Sequence, residues 1–137
     1  MSFRKLLIAN RGEIAIRIAR AAGDAGLAAV AIYPADDALS LHVRAADEAR
    51  EIPGRGARAY LDIEGVVAAA KASGCDALHP GYGFLSENTA LARRCAEEGI
   101  VFVGPSPEAL ELFGDKVQAK ALARRCEVPV IEGTEVD

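Results

Sequence analysis

Lys116 stands at the head of a helix-forming stretch, directly after Gly114 and Asp115. A cation in that place opposes the positive end of the helix macrodipole, so it hints at an anionic ligand nearby. Lys120 and Arg124 extend it into the spacing of an ordinary solvated helix face, and the stripe alone names no ligand. The block His79-Pro80-Gly81-Tyr82-Gly83-Phe84-Leu85-Ser86-Glu87-Asn88 is denser in chemistry. Glycines such as Gly81 and Gly83 let backbone approach a ligand closely, and Tyr82 between them can lie against a flat ring. A strained turn with Phe84 and Leu85 in the core would use the same residues, which leaves Tyr82 and Gly83 balanced between site and scaffold. His79 is read as a hydrogen-bonded structural histidine. Asn10-Arg11-Gly12-Glu13 has the glycine turn and helix start of a phosphate site. It lacks the glycine triplet of a dinucleotide site, and Glu13 in the first turn would repel a phosphate while suiting the dipole. A tight turn is the better account, and an NAD-binding function is disfavoured. The sequence shows no nucleophile–base pair, no acid/base carboxylate pair and no metal-ligand cluster.

These residues need elements to position them, and strands alternate with helices from the start. Residues 6–9 form a short apolar run that reads as a buried strand. A helix follows over residues 13–25, with Ile14, Ile18, Ala21 and Ala25 on one face and Arg17, Arg20 and Asp24 on another. Gly26 ends it. Residues 28–33 make a second strand that Pro34 stops. Residues 36–47 are a polar loop with a short helix near 41–45, and Glu51-Ile52-Pro53 reads as a short edge strand. Asp62 caps a helix to about Ser73, residues 76–79 are a strand, and Ser86 is read as the cap of a helix reaching Glu98. Residues 100–103 form a further strand. Ser106 caps a helix with Pro107 at its first position, where a missing N–H costs nothing. Asp115 and Gln118 then resemble a capping box opening a helix to about Arg125.

This alternation predicts an α/β fold, a doubly wound parallel sheet with helices on both faces. Such sheets bind ligands beyond the carboxyl ends of their strands, which singles out the loops at 10–12, 80–86 and 104–106. The chain of 137 residues fits one domain, and 51% hydrophobic residues are enough for a core. A net charge of -4 without a basic block excludes a nucleic-acid footprint. No apolar run approaches a membrane span. Cys75, Cys95 and Cys126 lack zinc or C-x-x-C spacing and read as reduced thiols of a cytoplasmic protein.

Taken together, Lys5-Leu6-Leu7-Ile8-Ala9-Asn10-Arg11-Gly12-Glu13-Ile14-Ala15-Ile16-Arg17-Ile18, the 79–88 block, Phe102-Val103-Gly104-Pro105 and Gly114-Asp115-Lys116 resemble biotin carboxylases. Ala46-Asp47-Glu48 and Tyr60-Leu61 fit in order and spacing. That family includes the biotin carboxylase parts of acetyl-, propionyl- and other acyl-CoA carboxylases, of pyruvate carboxylase and of urea carboxylase. The resemblance implies the N-terminal α/β domain, residues 1–115, that precedes an ATP-grasp domain, with 116–137 beginning the linker into it. It implies a reaction in which ATP and bicarbonate give carboxyphosphate and CO2 passes to biotin on a carrier domain, with Mg2+ or Mn2+ neutralising the phosphates. Residue by residue it matches Lys116 to a lysine contacting ATP phosphates, and Tyr82 and Gly83 to the loop near biotin. Arg17, Arg20 and Asp24 match a helix used at the dimer interface in some members, and a homo-oligomer is expected. Partners implied are the ATP-grasp and C-terminal parts of the enzyme, the biotin carrier domain and the carboxyltransferase. The lid, metal-binding glutamates, bicarbonate site and catalytic arginine of the family lie downstream, so no catalytic or metal residue is assigned here and the isolated chain is expected to be inactive. Two other classes compete: a non-catalytic binding or assembly module with this fold, and the N-terminal domain of another ATP-grasp ligase.

Overall fold

The computed structural model describes residues 2–133; Met1 and the last four residues, the far end of the stretch read as a linker, lie outside them. Five parallel strands form one sheet: β1 (Lys5–Ile8), β2 (Ala28–Tyr33), β3 (Glu48–Glu51), β4 (Ala77–His79) and β5 (Val101–Phe102), in the order β3-β2-β1-β4-β5. The helices are α1 (Gly12–Asp24), α2 (Leu41–Ala45), α3 (Gly56–Ala59), α4 (Ile63–Ala72), α5 (Thr89–Glu97), α6 (Pro107–Gly114) and α7 (Lys116–Arg125). Successive side chains of a strand point to opposite faces, and β1 shows it. Leu6 and Ile8 meet Ala15, Ile18, Ala19 and Ala22 of α1 in one core. Leu7 faces Val66, Val67 and Ala70 of α4 and Leu91 and Cys95 of α5 in the other. The doubly wound α/β architecture read from the alternation is therefore the observed one.

Carboxylates at strand starts set the register. The Asp76 side chain accepts the Arg4 and Lys5 backbone N–H groups at 2.8–3.0 Å, joining the beginnings of β1 and β4. These N–H groups, Lys5 foremost, hold the Asp76 carboxyl below its usual pKa. Asp47, directly before β3, accepts the N–H of Ala29 in β2 at 2.8 Å.

Several expectations are corrected. The buried stripe of α1 is Ala15, Ile18, Ala19 and Ala22, whereas Ala21 and Ala25 are exposed. Ala15, Ala19 and Ala22 of α1 thus pack on the sheet. The edge strand is Glu48–Glu51, with Ile52 adding one further N–H bond to the Tyr33 carbonyl at 2.9 Å. The cap of α5 is Asn88, which accepts from the Leu91 N–H at 2.9 Å, and Ser86 belongs to the preceding turns. At α7, Asp115 accepts the Val117 and Gln118 N–H groups, but the Gln118 amide donates back to the Asp115 carboxylate instead of closing a capping box. Residues 56–59 form the short helix α3, for which the sequence carries no readable signal. Among the described residues no helix is long and apolar enough to cross a membrane.

Candidate functional site

From β1 the chain passes outward to β2 and β3 on one side, then returns to β4 and β5 on the other. The carboxyl ends of β1 and β4 therefore flank a topological switch point, where such sheets open a crevice. The two loops there are those opened by Asn10 and by Pro80.

Asn10 is only 2% exposed and joins both. Its Nδ2 donates to the Pro80 carbonyl at 2.9 Å and to the Tyr82 carbonyl at 3.0 Å, while its Oδ1 accepts the Arg11 N–H at 2.8 Å. Gly81 lies between those two carbonyls with φ +68°, and a Cβ on it would stand 2.6 Å from Asn10 Nδ2 and 2.9 Å from Ile14 Cγ2. The Gly81 N–H donates to His79 Nδ1 at 3.0 Å, so the neutral imidazole carries its proton on Nε2. Burial pushes the His79 pKa below its ordinary value, in keeping with a structural histidine.

Beyond Tyr82 the loop is held by a second network. Phe84 adopts φ +45° and its ring packs 5.7 Å from the ring of Tyr60. Tyr60 is fully buried, and its hydroxyl donates to Asp37 at 2.8 Å. Asp37 also accepts from Arg11 Nε and Nη2, both at 2.8 Å, and from Ser40 Oγ at 3.0 Å. The Arg11 guanidinium holds the Asp37 carboxyl well below the usual carboxylate range, with help from Tyr60 and Ser40. Burial, with the neighbouring Asp37, pushes the Tyr60 phenol well up. His42 Nε2, 3.0 Å from the Ile32 carbonyl, seals the inner side.

What this scaffold presents is Tyr82, which is 75% exposed, and Gly83, with φ +69° and nothing within 4 Å of a hypothetical Cβ. Tyr82 lines two cavities. One, about 490 Å³, is apolar and bounded by Phe3, Ile14, Ile18 and Val103, with Arg17 at its side. The other, about 530 Å³, is bounded by Arg11, Leu61, Gly83 and Phe84. The structure thus brings Tyr82 and Gly83 together with Asn10. Arg17, Arg20 and Asp24 are exposed on α1 and line a further groove of about 880 Å³ with Ser40, Leu41 and His42, and Arg17 also borders the apolar cavity at Tyr82. Lys116 is exposed at the first residue of α7, and neither cavity at Tyr82 includes it. Among the described residues no group of three or more His, Cys, Asp or Glu could hold a metal ion. Cys75 and Cys95 are buried free thiols, each pushed up to about 11 by burial, and Cys126 is exposed.

The sequence singles out the loop at 10–12 but not the tie from Asn10 to the Tyr82 loop, and it gives no sign of Asp37 and Tyr60 as parts of the site. An asparagine closing an apolar strand was the available signal for that tie.

The profile described as "Biotin carboxylase, N-terminal domain" matches residues 2–110. The chain belongs to the biotin carboxylase N-terminal domain family. It is 53% identical to the pyruvate carboxylase of Bacillus subtilis, covering 98% of this chain and 12% of that protein. A solved biotin carboxylase domain of a single-chain bacterial carboxylase superposes with a TM-score of 0.92 at 56% identity, covering 96% of this chain and 31% of that one. The biotin carboxylase domain of the Hydrogenobacter thermophilus 2-oxoglutarate carboxylase, a dimer in complex with MgADP, ADP and bicarbonate, gives 0.93 at 45% identity, over 98% of this chain and 30% of that one. The chain therefore spans a third or less of these relatives. As a biotin carboxylase N-terminal domain, it carries the switch-point loop on a doubly tied scaffold.

Proposed function

We propose that this chain forms the biotin-facing wall and one phosphate contact of a biotin carboxylase, within a longer protein that uses ATP and bicarbonate to carboxylate biotin on a carrier domain. The observation that carries this is the Tyr82–Gly83 segment, exposed and open at the β1/β4 switch point yet fixed from behind by Asn10 and Phe84. The planar ureido ring of biotin can lie beside Tyr82, and the uncrowded backbone of Gly83 lets it approach. Lys116 fits a phosphate because it is exposed at a helix start. Its neighbour Asp115, the N-cap of α7, commits its carboxylate to the Val117 and Gln118 N–H groups. The lysine balances charge on the transferring phosphates. Mg2+ or Mn2+ supplies further charge neutralisation when bound, and no described residue is assigned to it. MgADP and bicarbonate in the Hydrogenobacter relative support these ligands.

The remaining parts of the reading follow the family. The ATP-grasp and C-terminal parts, the carrier domain and the carboxyltransferase are the partners. The face of Arg17, Arg20 and Asp24 meets a second copy, and the protein works in the cytoplasm. Residues 116–137 lead out of the domain.

The test uses the full-length protein encoded by the gene. Tyr82→Ala should raise KM for biotin about tenfold, the loss of one ring contact, and spare KM for ATP. Lys116→Ala should raise KM for ATP about tenfold, the loss of one charged contact, and spare the fold. Unchanged KM for ATP and unchanged turnover in Lys116→Ala remove the phosphate role. Failure of the full-length protein to carboxylate a supplied biotin carrier removes the whole reading. The isolated 137-residue chain should show no biotin-dependent ATP hydrolysis, and robust turnover from a pure preparation refutes that expectation.

A further inference from the structure

We infer that Asn10 is a positioning residue for the biotin-facing loop: its side-chain amide sets where Tyr82 points, and thereby the affinity for biotin. This deepens the proposed function and rests on it. Three backbone groups converge on this one buried side chain: the carbonyls of Pro80 and Tyr82 and the N–H of Arg11. Only a carboxamide offers two donors and an acceptor on a stem short enough to sit there. Aspartate would set acceptor oxygens against two carbonyls. Alanine would take the partner from all three groups and leave the Pro80 carbonyl unpaired in a buried place. The loop is wrapped around this amide, because the missing Cβ of Gly81 is what lets Asn10 Nδ2 come so close.

Tyr82 has little else to orient it. The residue is 75% exposed, so the direction of its side chain is inherited from the backbone. The Tyr82 carbonyl is bonded to Asn10 itself. Phe84 and Tyr60 anchor the loop two residues further on, but no other described hydrogen bond holds the Tyr82 backbone to β1. Misplacing a contact by about 1 Å is enough to cost a large factor in rate or binding.

The experiment compares Asn10→Ala, Asn10→Asp, Tyr82→Ala and Val67→Ala in the full-length protein. Val67 is buried in the opposite core and reports general destabilisation. Steady-state KM is measured for free biotin and for ATP, and backbone amide exchange is followed over residues 81–84. Both Asn10 variants should raise KM for biotin about tenfold or more. KM for ATP should move less than about twofold, and exchange over 81–84 should speed up. Val67→Ala should leave KM for biotin in place. If Tyr82→Ala raises KM for biotin and the Asn10 variants do not, the positioning role is overturned while the biotin-facing reading stands. If Val67→Ala raises KM for biotin as much as Asn10→Ala does, the effect is general loss of stability and the inference is overturned. If Tyr82→Ala itself leaves KM for biotin unchanged, the biotin-facing reading falls and this inference falls with it.

Discussion

Gly81→Ala should destabilise the fold by about 2–5 kcal/mol, the sum of a left-handed backbone penalty and an overpacking penalty. The backbone part comes from φ +68° at Gly81. The packing part comes from a methyl group forced to 2.6 Å from Asn10 Nδ2 and 2.9 Å from Ile14 Cγ2. Neither neighbour can retreat without loss. Asn10 is held by its two carbonyl acceptors, and Ile14 packs against the α1 side of the sheet. Gly83→Ala provides the internal comparison. Its φ is +69°, almost the same, but nothing lies within 4 Å of the new methyl. Only the backbone penalty of about 1–2 kcal/mol remains. Urea unfolding of both variants at neutral pH measures the difference. Equal costs at the two positions would show that the close approach to Asn10 contributes nothing.

Asp37→Ala should cost about 2–3 kcal/mol at pH 7, because it strips a charged partner from a buried hydroxyl and from a guanidinium. Tyr60 is fully buried, so its hydroxyl has no water to turn to. Arg11 keeps 44% of its side chain exposed and recovers part of its solvation, which keeps the figure below that of a fully buried pair. Tyr60→Phe removes only one donor and should cost about 1 kcal/mol. The pH dependence has a defined sign. Arg11, Tyr60 and Ser40 depress the folded-state pKa of Asp37, whereas the unfolded carboxyl titrates near its usual value of about 3.9. The contribution is therefore complete above the unfolded value and is lost as pH falls below it. The stability gap between the parent chain and Asp37→Ala should stay constant from about pH 7 to 5 and narrow towards about pH 3. Unfolding curves at those three values check it, and a gap that does not change with pH would exclude ionised Asp37 as the source.

The strands and most helices were legible because their signals are local. Gly26, Gly74 and Gly99 take positive φ after α1, α4 and α5, and Ser106 and Asp62 cap where their types say they should. The errors fall where two local solutions compete. In α1 apolar residues occupy 14, 15, 16, 18, 19, 21 and 22, so two neighbouring stripes satisfy helical spacing and only the sheet decides between them. Ser86 and Asn88 are both capping types, and the turns closed by the Ser86 and Asn88 N–H groups delay the helix to the second. Strand β3 has all four residues exposed, so no alternation marks it. At the site, Tyr82 and Gly83 were visible as types, but their supports were not. Asn10, Asp37 and Tyr60 are far from the loop in sequence, and nothing in a single chain pairs residue 10 with residue 82.

That separation also orders events during synthesis. The bonds from Asn10 to Pro80 and Tyr82 span 70 and 72 residues. At about 5–20 residues per second, roughly 4–14 s pass between the translation of Asn10 and that of its acceptors. Through most of that interval β1 can pair with β2 while Leu7 stays open to solvent, because α4 and β4 are made only towards its end and α5 only after it. A nascent chain of this domain therefore exposes the Leu7 face of β1 until α4 and α5 have cleared the ribosome, and it is in this window that a chaperone would find it.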